Sequence, residues 1–188
     1  MNSFSEARSA LVEHMVAHSV RTDGPFVLRS GMTSDWYIDA RQTTFSGDGA
    51  RRVGSAVLAE VPADVDAVGG MTMGADPIAI ATAIAAADAG RTLGAFSIRK
   101  EPKDHGTGGR LVGPIGAGSR VVALEDTTTT GSALREAILV LVEANMIVVR
   151  AVSLVDRSSG ATEKLMTDLG VPYVALLTPA DLGVGGSR

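Results

Sequence analysis

The stretch VVALEDTTTTGSALREA, residues 121–137, passes from an apolar run through two adjacent acids and four threonines to a glycine and a helix-forming segment. The β-branched run predicts a strand over 120–125, and the segment after Gly131 predicts a helix over 132–144. In open parallel sheets ligands sit outside the carboxyl ends of the strands, where Glu125 and Asp126 fall. A helix start carries N–H groups without internal partners and a positive dipole end. Residues 127–131 can therefore wrap an anion with amides and hydroxyls. Gly131 lets the backbone approach closely. Glu125 and Asp126 are acceptors, suited to a neighbouring diol and not to the phosphate itself. Together these features describe a site for a phosphorylated sugar. Helix capping alone would need one hydroxyl, whereas four consecutive threonines, weak helix formers, exceed that need. No GxxxxGK[ST] run exists and no GxGxxG follows a strand, so the cup is neither a Walker loop nor a dinucleotide fold.

The same alternation extends in both directions. Strands are predicted over 65–70, 93–99, 147–156 and 172–178, and helices over 47–60, 77–87 and 160–169, with 106–118 as loop. Evenly apolar strands separated by helices imply an α/β fold with a parallel sheet buried on both faces and right-handed crossovers. At the start, residues 3–20 carry apolar positions at helical spacing, with Ser3 and Glu6 as a capping box. FVLRSG (26–31) and DWYIDAR (35–41), separated by a turn-like stretch, read as a hairpin. One domain over 1–188 is expected, with 1–45 forming an N-terminal helix and a small hood.

Composition narrows the partners. The chain has 188 residues, 45% of them hydrophobic, which suits one compact core. A net charge of −4 disfavours a broad nucleic-acid surface. Zero Cys removes disulfides and thiol nucleophiles and fits a reducing cytosol. The first twenty residues include Glu6, Arg8, Glu13 and two histidines, which suits neither a secretory signal nor a membrane span. A cytoplasmic protein is expected.

A second constellation is IRKEPKDHGTGGR, residues 98–110, with cations at Arg99, Lys100, Lys103 and Arg110, one histidine and three glycines. It reads as a mobile basic loop able to close over an anionic group. An apolar strand, two acids and a Thr-rich turn ending in Gly resemble the phosphoribosyl pyrophosphate (PRPP) motif of the type I phosphoribosyltransferases, with Glu where Asp is more usual first. The RKxxKxH spacing, FVLRSGMTSDWYIDAR and VDRSSGA together are similar to the orotate phosphoribosyltransferase family. The resemblance covers residues 20 to 183. It implies a five-stranded parallel sheet with a hood, and transfer of phosphoribosyl from PRPP to orotate, giving orotidine 5′-monophosphate and pyrophosphate in pyrimidine synthesis. It also implies Mg²⁺ carried by PRPP without direct protein ligation, and a homodimer in which loop 100–110 reaches the neighbouring site.

The resemblance carries roles onto matching positions. Arg29 would contact PRPP. Arg99, Lys103 and His105 would meet pyrophosphate, with Lys100 contributing across the dimer, and Lys103 and His105 are the catalytic candidates. Glu125 and Asp126 would hold the ribose hydroxyls, and Thr127, Thr128, Thr129, Thr130, Gly131, Ser132 and Ala133 the 5′-phosphate. Tyr37, Ile38, Thr129 and Arg157 would meet orotate, whose carboxylate and carbonyls match a guanidinium. A surface ion pair is the plain alternative for Arg157.

One departure stands out. The chain reads Thr72-Met73-Gly74 where the family often has Tyr-Lys before Gly, so a pyrophosphate lysine is missing, and either Thr72 with its backbone or a cation from elsewhere must replace it. Asp76 reads equally as a Mg²⁺ orienter or as the cap of a helix starting at Pro77, and is left outside the site. His14 and His18 lie one helical turn apart with no third ligand nearby, which favours surface positions over a metal. Trp36 reads equally as hood packing or as a base stack, and the methionines as core filler. A phosphoribosyltransferase for a purine or another pyrimidine is the enzyme alternative. A PRPP-sensing regulator is another, but no basic face or helix-turn-helix extension supports it.

Overall fold

The computed structural model describes residues 3–27, 31, 33–103 and 109–185. The chain opens with α1 (Ser3–His18), followed by four two-residue strands: β1 (Val20–Arg21), β2 (Phe26–Val27), β3 (Thr33–Ser34) and β4 (Tyr37–Ile38). Two helices come next, α2 (Arg41–Thr44) and α3 (Gly47–Leu58), the latter capped by Ser46, whose hydroxyl accepts the Gly49 amide at 3.1 Å. The main body is β5 (Ala67–Met71), α4 (Ala75–Asp88), β6 (Gly94–Lys103), β7 (Gly109–Val112), β8 (Arg120–Thr128), α5 (Ser132–Glu143), β9 (Ile147–Asp156), α6 (Ala161–Asp168) and β10 (Tyr173–Leu177).

The main sheet has six strands in the order β10-β9-β8-β5-β6-β7. Its first five are parallel, and β7 pairs antiparallel with β6. Side chains alternate faces along each strand. Along β8, Val122 and Leu124 enter a core with Leu11, Val53 and Ile78 of α1, α3 and α4. Val121 and Ala123 enter the opposite core with Leu134 and Leu141 of α5 and Met166 of α6. A strand covered on both faces must be apolar at every position, and this is why VVAL reads as a continuous run. Arg8 of α1 donates to the Leu176 carbonyl at 3.1 Å and pairs with Asp181 at 2.8 Å, tying the first helix to the last strand.

Several sequence expectations change. The sheet has six strands, not five, because Gly109–Val112, expected within the 106–118 loop, pairs with an extended β6. Four residues are too few to show a period, and a neighbouring edge completes the ladder. The hairpin of 26–31 with 35–41 is replaced by two ladders: Phe26–Val27 pairs with Thr33–Ser34, and Tyr37–Ile38 with Val20–Arg21. Pairs this short leave the choice of partner to tertiary packing. α4 starts at Ala75 and its N-cap residue is Gly74, so Asp76 lies in the first turn and does not cap. β8 runs on through both acids to Thr128. The side chain of Ser3, half of the expected capping box, lies outside the described residues.

Candidate functional site

β8 ends at Thr128 and α5 begins at Ser132, leaving a three-residue turn at the carboxyl end of the central strands. Gly131 makes the turn with φ 72°, the left-handed region that costs a residue with a Cβ about 1–2 kcal/mol. A Cβ there would also lie 3.1 Å from Leu165 Cδ2 and 3.2 Å from Thr162 Cγ2. The first helical bond runs from the Arg135 amide to the Gly131 carbonyl at 2.8 Å, so the amides just before it point out of the helix end. Glu125 and residues 127–134 line a cavity of about 170 Å³ at this point, room for a phosphoryl group.

All seven residues expected to hold the phosphate border this cavity, but not all through their side chains. Thr128 is buried, with its hydroxyl 3.4 Å from that of Tyr173, which removes it as a side-chain phosphate ligand. The Thr127 amide donates to Asp126 Oδ1 at 2.7 Å. Thr130 donates to Ser132 Oγ at 3.0 Å and accepts the Ser132 amide at 3.4 Å, a local turn that precedes the N-cap Gly131, and α5 has no side-chain cap. Thr129 stays exposed. Beneath the turn, the Tyr173 hydroxyl meets Ser153 Oγ and donates to Asp156 Oδ2 at 3.0 Å. Burial pushes the Tyr173 hydroxyl up to about 12, which keeps it a neutral donor clamping β8, β9 and β10 together.

The acid pair sits at the mouth of the cup. Burial, then the neighbouring Asp126 carboxylate, pushes Glu125 up to about 8, and Glu125 Oε2 is buried without a partner. Burial also raises Asp126, opposed by the Thr127 amide and by the charge of Arg41. The unfolded chain ionises Glu125 near 4.5 and the folded chain near 8, so ligand-free stability falls as pH rises through that window and levels off above it. Glu125→Gln is expected to remove this slope, gaining on the order of a few kcal/mol over the parent at pH 8 relative to pH 5. Denaturant unfolding at the two pH values checks it, and parallel slopes for both proteins would contradict the burial of this carboxyl.

Above the pair lies the turn of residues 72–74. A Cβ on Gly74 would stand 2.7 Å from Asp126 Cγ, so only glycine lets this turn meet the acid. Thr72 is not free to replace the missing lysine through its own donors. Its amide donates to the Ile98 carbonyl at 2.9 Å, and its hydroxyl to Asp76 Oδ2 at 2.6 Å. Met73 is 59% exposed, unlike the core methionines Met15, Met71, Met146 and Met166.

Arg157 begins the loop after β9, and its amide donates to the Thr128 carbonyl at 2.8 Å, which seats it one strand from the cup. Its guanidinium lies 4.8 Å over the Trp36 ring. Its Nε is buried without a hydrogen-bond partner. Burial lowers the Arg157 pKa, while Tyr37 nearby raises it, and no ion pair of Arg157 exists among the described residues. Among the described residues the surface-pair alternative finds no acidic partner. Trp36 packs against the core and stacks under Arg157, which joins the hood to the sheet. Arg157, Trp36, Tyr173 and Thr178 line a cavity of about 480 Å³. The Ile38 side chain is in the core, leaving only its main chain to meet a ligand.

The described cations of the basic segment are not gathered at the cup. Arg99 lines a separate cavity of about 660 Å³ with Val140, Glu143 and Ala144, toward the far end of the 12-residue α5. Such a helix is about 18 Å long. Arg110 pairs with Glu136 and donates to the Arg99 carbonyl at 2.7 Å, so it braces β7 instead of facing the cup. Lys100 is exposed. Arg99, Lys100 and the main chain of Lys103 belong to strand β6, not to a loop. The Lys103 side chain, His105 and Arg29 lie outside the described residues.

Sequence reasoning passed over Arg41. Its Nε donates to Asp39 Oδ1 at 2.8 Å and its Nη2 to Asp39 Oδ2 at 3.4 Å, and its charge acts on Asp126. The only signal was an acid and an arginine two apart in the DAR of residues 39–41. His14 accepts or donates at 3.2 Å to Thr43 Oγ1, an interhelical contact.

No family model matches the chain. It is 42% identical over 181 residues to an orotate phosphoribosyltransferase of Streptomyces avermitilis, covering 95% of this chain and 98% of that one. The chain belongs to the orotate phosphoribosyltransferase family. A family member from Corynebacterium glutamicum is 43% identical over 182 residues, covering 96% of each chain. The structure resembles that of Mycobacterium tuberculosis orotate phosphoribosyltransferase in complex with PRPP, with a TM-score of 0.77 and 31% identity over 95% of this chain and 99% of that chain. The architecture is thus that of a type I phosphoribosyltransferase. No helix among the described residues is long and apolar enough to cross a membrane.

Proposed function

We propose that the protein is a pentosyltransferase that moves phosphoribosyl from PRPP to orotate, giving orotidine 5′-monophosphate and pyrophosphate in the cytoplasmic synthesis of pyrimidine nucleotides. Beyond family membership, one observation carries the substrate: a half-buried guanidinium, Arg157, stacked on Trp36 with Nε unpartnered, one strand from the phosphate cup. A buried polar group without a partner is costly, and a planar carboxylated ring supplies the missing acceptors. A neutral base would leave the charge unmatched.

The residues divide the work. Thr129, Thr130, Gly131, Ser132 and Ala133, with the main chain around Thr127 and Thr128, hold the 5′-phosphate. Glu125 and Asp126 accept from the ribose hydroxyls. Arg157, Tyr37, Thr129 and the main chain of Ile38 orient orotate so that a ring nitrogen faces the anomeric carbon. That nitrogen bonds to the carbon as the carbon–oxygen bond to pyrophosphate breaks; pyrophosphate leaves with the bonding electrons, and the ring N–H proton passes to a pyrophosphate oxygen or to solvent. Arg29, Arg99, Lys100, Lys103 and His105 stabilise the charge that builds on the leaving oxygens. The unpartnered Glu125 Oε2 beside Asp126 fits a Mg²⁺ ion held through water and carried by PRPP phosphates. Such an ion would neutralise charge on pyrophosphate.

We read residues 1–188 as one catalytic domain, hooded by 1–45, working as a homodimer. The distance of Arg99 from the cup within one chain supports a loop that serves the neighbouring site. α4 supports the dimer as well: it is apolar all round, and its outer face exposes Ile80 and Ile84 beside exposed Phe45 and Met73. The decisive assay mixes the protein with PRPP, Mg²⁺ and orotate, uracil or hypoxanthine in turn and follows pyrophosphate release. Turnover with orotate alone is expected; turnover with uracil or hypoxanthine overturns the substrate assignment.

A further inference from the structure

We infer that Arg41, held on the hood by Asp39, is the cation that grips the pyrophosphate end of PRPP where Met73 stands in place of a lysine. This rests on the transferase reading above. The need comes from the turn of residues 72–74. Thr72 has spent both donors, on Ile98 and Asp76, and Met73 brings no charge. Pyrophosphate carries several negative charges, so a site built for it needs a cation on this side.

Arg41 is placed to supply it. It opens α2, and the end of that helix runs beside the turn: Thr44 and Phe45 share a cavity of about 440 Å³ with Met73 and Asp76. The turn itself lies against Asp126 at Gly74. Residues three and four apart share a helix face, so Arg41 lies one turn before Thr44 and Phe45 on the side of α2 that meets this turn, and its charge acts on Asp126 and Tyr37.

The side chain is also preorganised. Asp39 takes Nε at 2.8 Å and Nη2 at 3.4 Å, and Asp39 is fixed in turn by the Gln42 amide at 3.2 Å and by its own main-chain bond to the Ser19 carbonyl at 2.9 Å. A guanidinium has five N–H donors. Nη1 makes no hydrogen bond among the described residues, and the side chain is 53% exposed, open to an incoming ligand. Arg157 is already committed to the ring by its stack on Trp36, so the two arginines serve opposite ends of the reacting bond.

The test is calorimetric titration with PRPP and Mg²⁺, together with steady-state kinetics, on the parent, Arg41→Gln, Arg41→Lys, Met73→Lys and the Arg41→Gln/Met73→Lys pair. Arg41→Gln is expected to weaken PRPP binding about tenfold to a hundredfold, with the KM for orotate nearly unchanged. Arg41→Lys should fall between, and Met73→Lys should restore most of the loss in the double variant. A merely structural role would not give rescue from a different loop. Unchanged PRPP affinity in a folded Arg41→Gln protein, a defect confined to the KM for orotate, or a loss that Met73→Lys leaves untouched would each overturn the inference. Thermal melting identifies a variant that fails to fold, and Arg41→Lys then decides: affinity at the parent level with the Asp39 fork lost overturns the inference, and a partial loss relieved by Met73→Lys supports it. If the parent binds PRPP in an Arg41-dependent way but ignores orotate, the substrate reading falls while this inference stands.

Discussion

Arg157→Met is expected to lower kcat/KM for orotate by about a hundredfold to a thousandfold while leaving PRPP affinity within a few-fold of the parent. Methionine keeps the length and the contact with Trp36 but removes the charge and the hydrogen-bonding fork. Each charge-assisted bond lost in a desolvated setting is worth about 1.5–3 kcal/mol, and a planar carboxylate accepts two. The site is built for this, since Arg157 lies 4.8 Å over Trp36 with Nε buried and unpartnered. Arg157→Lys should recover little, because an ammonium neither stacks as a plane nor offers parallel donors. Steady-state kinetics with varied orotate, beside calorimetry with PRPP, gives the answer. Activity within fivefold of the parent would remove Arg157 from the ring site.

The second large effect concerns the phosphate cup. Gly131→Val is expected to weaken PRPP binding by about a hundredfold or more and to lower thermal stability. Its backbone is left-handed at φ 72°, where a β-branched residue is strained. The new side chain would also press on Leu165 and Thr162, 3.1 Å and 3.2 Å from its Cβ, so the turn must shift away from α6 and spoil the row of outward amides. Gly131→Asn tolerates the left-handed region better and should retain more affinity. Circular dichroism melts separate misfolding from local damage. A folded Gly131→Val protein with parent-like PRPP affinity would mean that the phosphate is held elsewhere.

Most of the architecture was legible because it is written in short-range patterns. Continuous apolar runs reported strands buried on both faces, and the acid pair and threonines at the end of one of them marked the turn where a cavity lies. The errors fell where local pattern carries no information. Gly109–Val112 and the four strands of the hood have two to four residues each, so their pairing is decided by which edge or neighbour is within reach. Thr128 illustrates the limit within the site itself: one of four identical residues, it is turned inward by the alternation of β8 and spends its hydroxyl on Tyr173.

Residue type and spacing alone determined the alternation of strand and helix, the position of the cavity-lining turn at a strand end, and the kinship of the chain, because these depend on neighbours a few residues apart. Tertiary structure decided which groups share one space. The charge of Arg41 acts on Asp126 across 85 residues of chain, Trp36 lies under Arg157 across 121, and Gly74 rests on Asp126 across 52. Such encounters arise when helices and the hood dock to bury their apolar faces, a cooperative outcome of the whole core that no local window of sequence encodes.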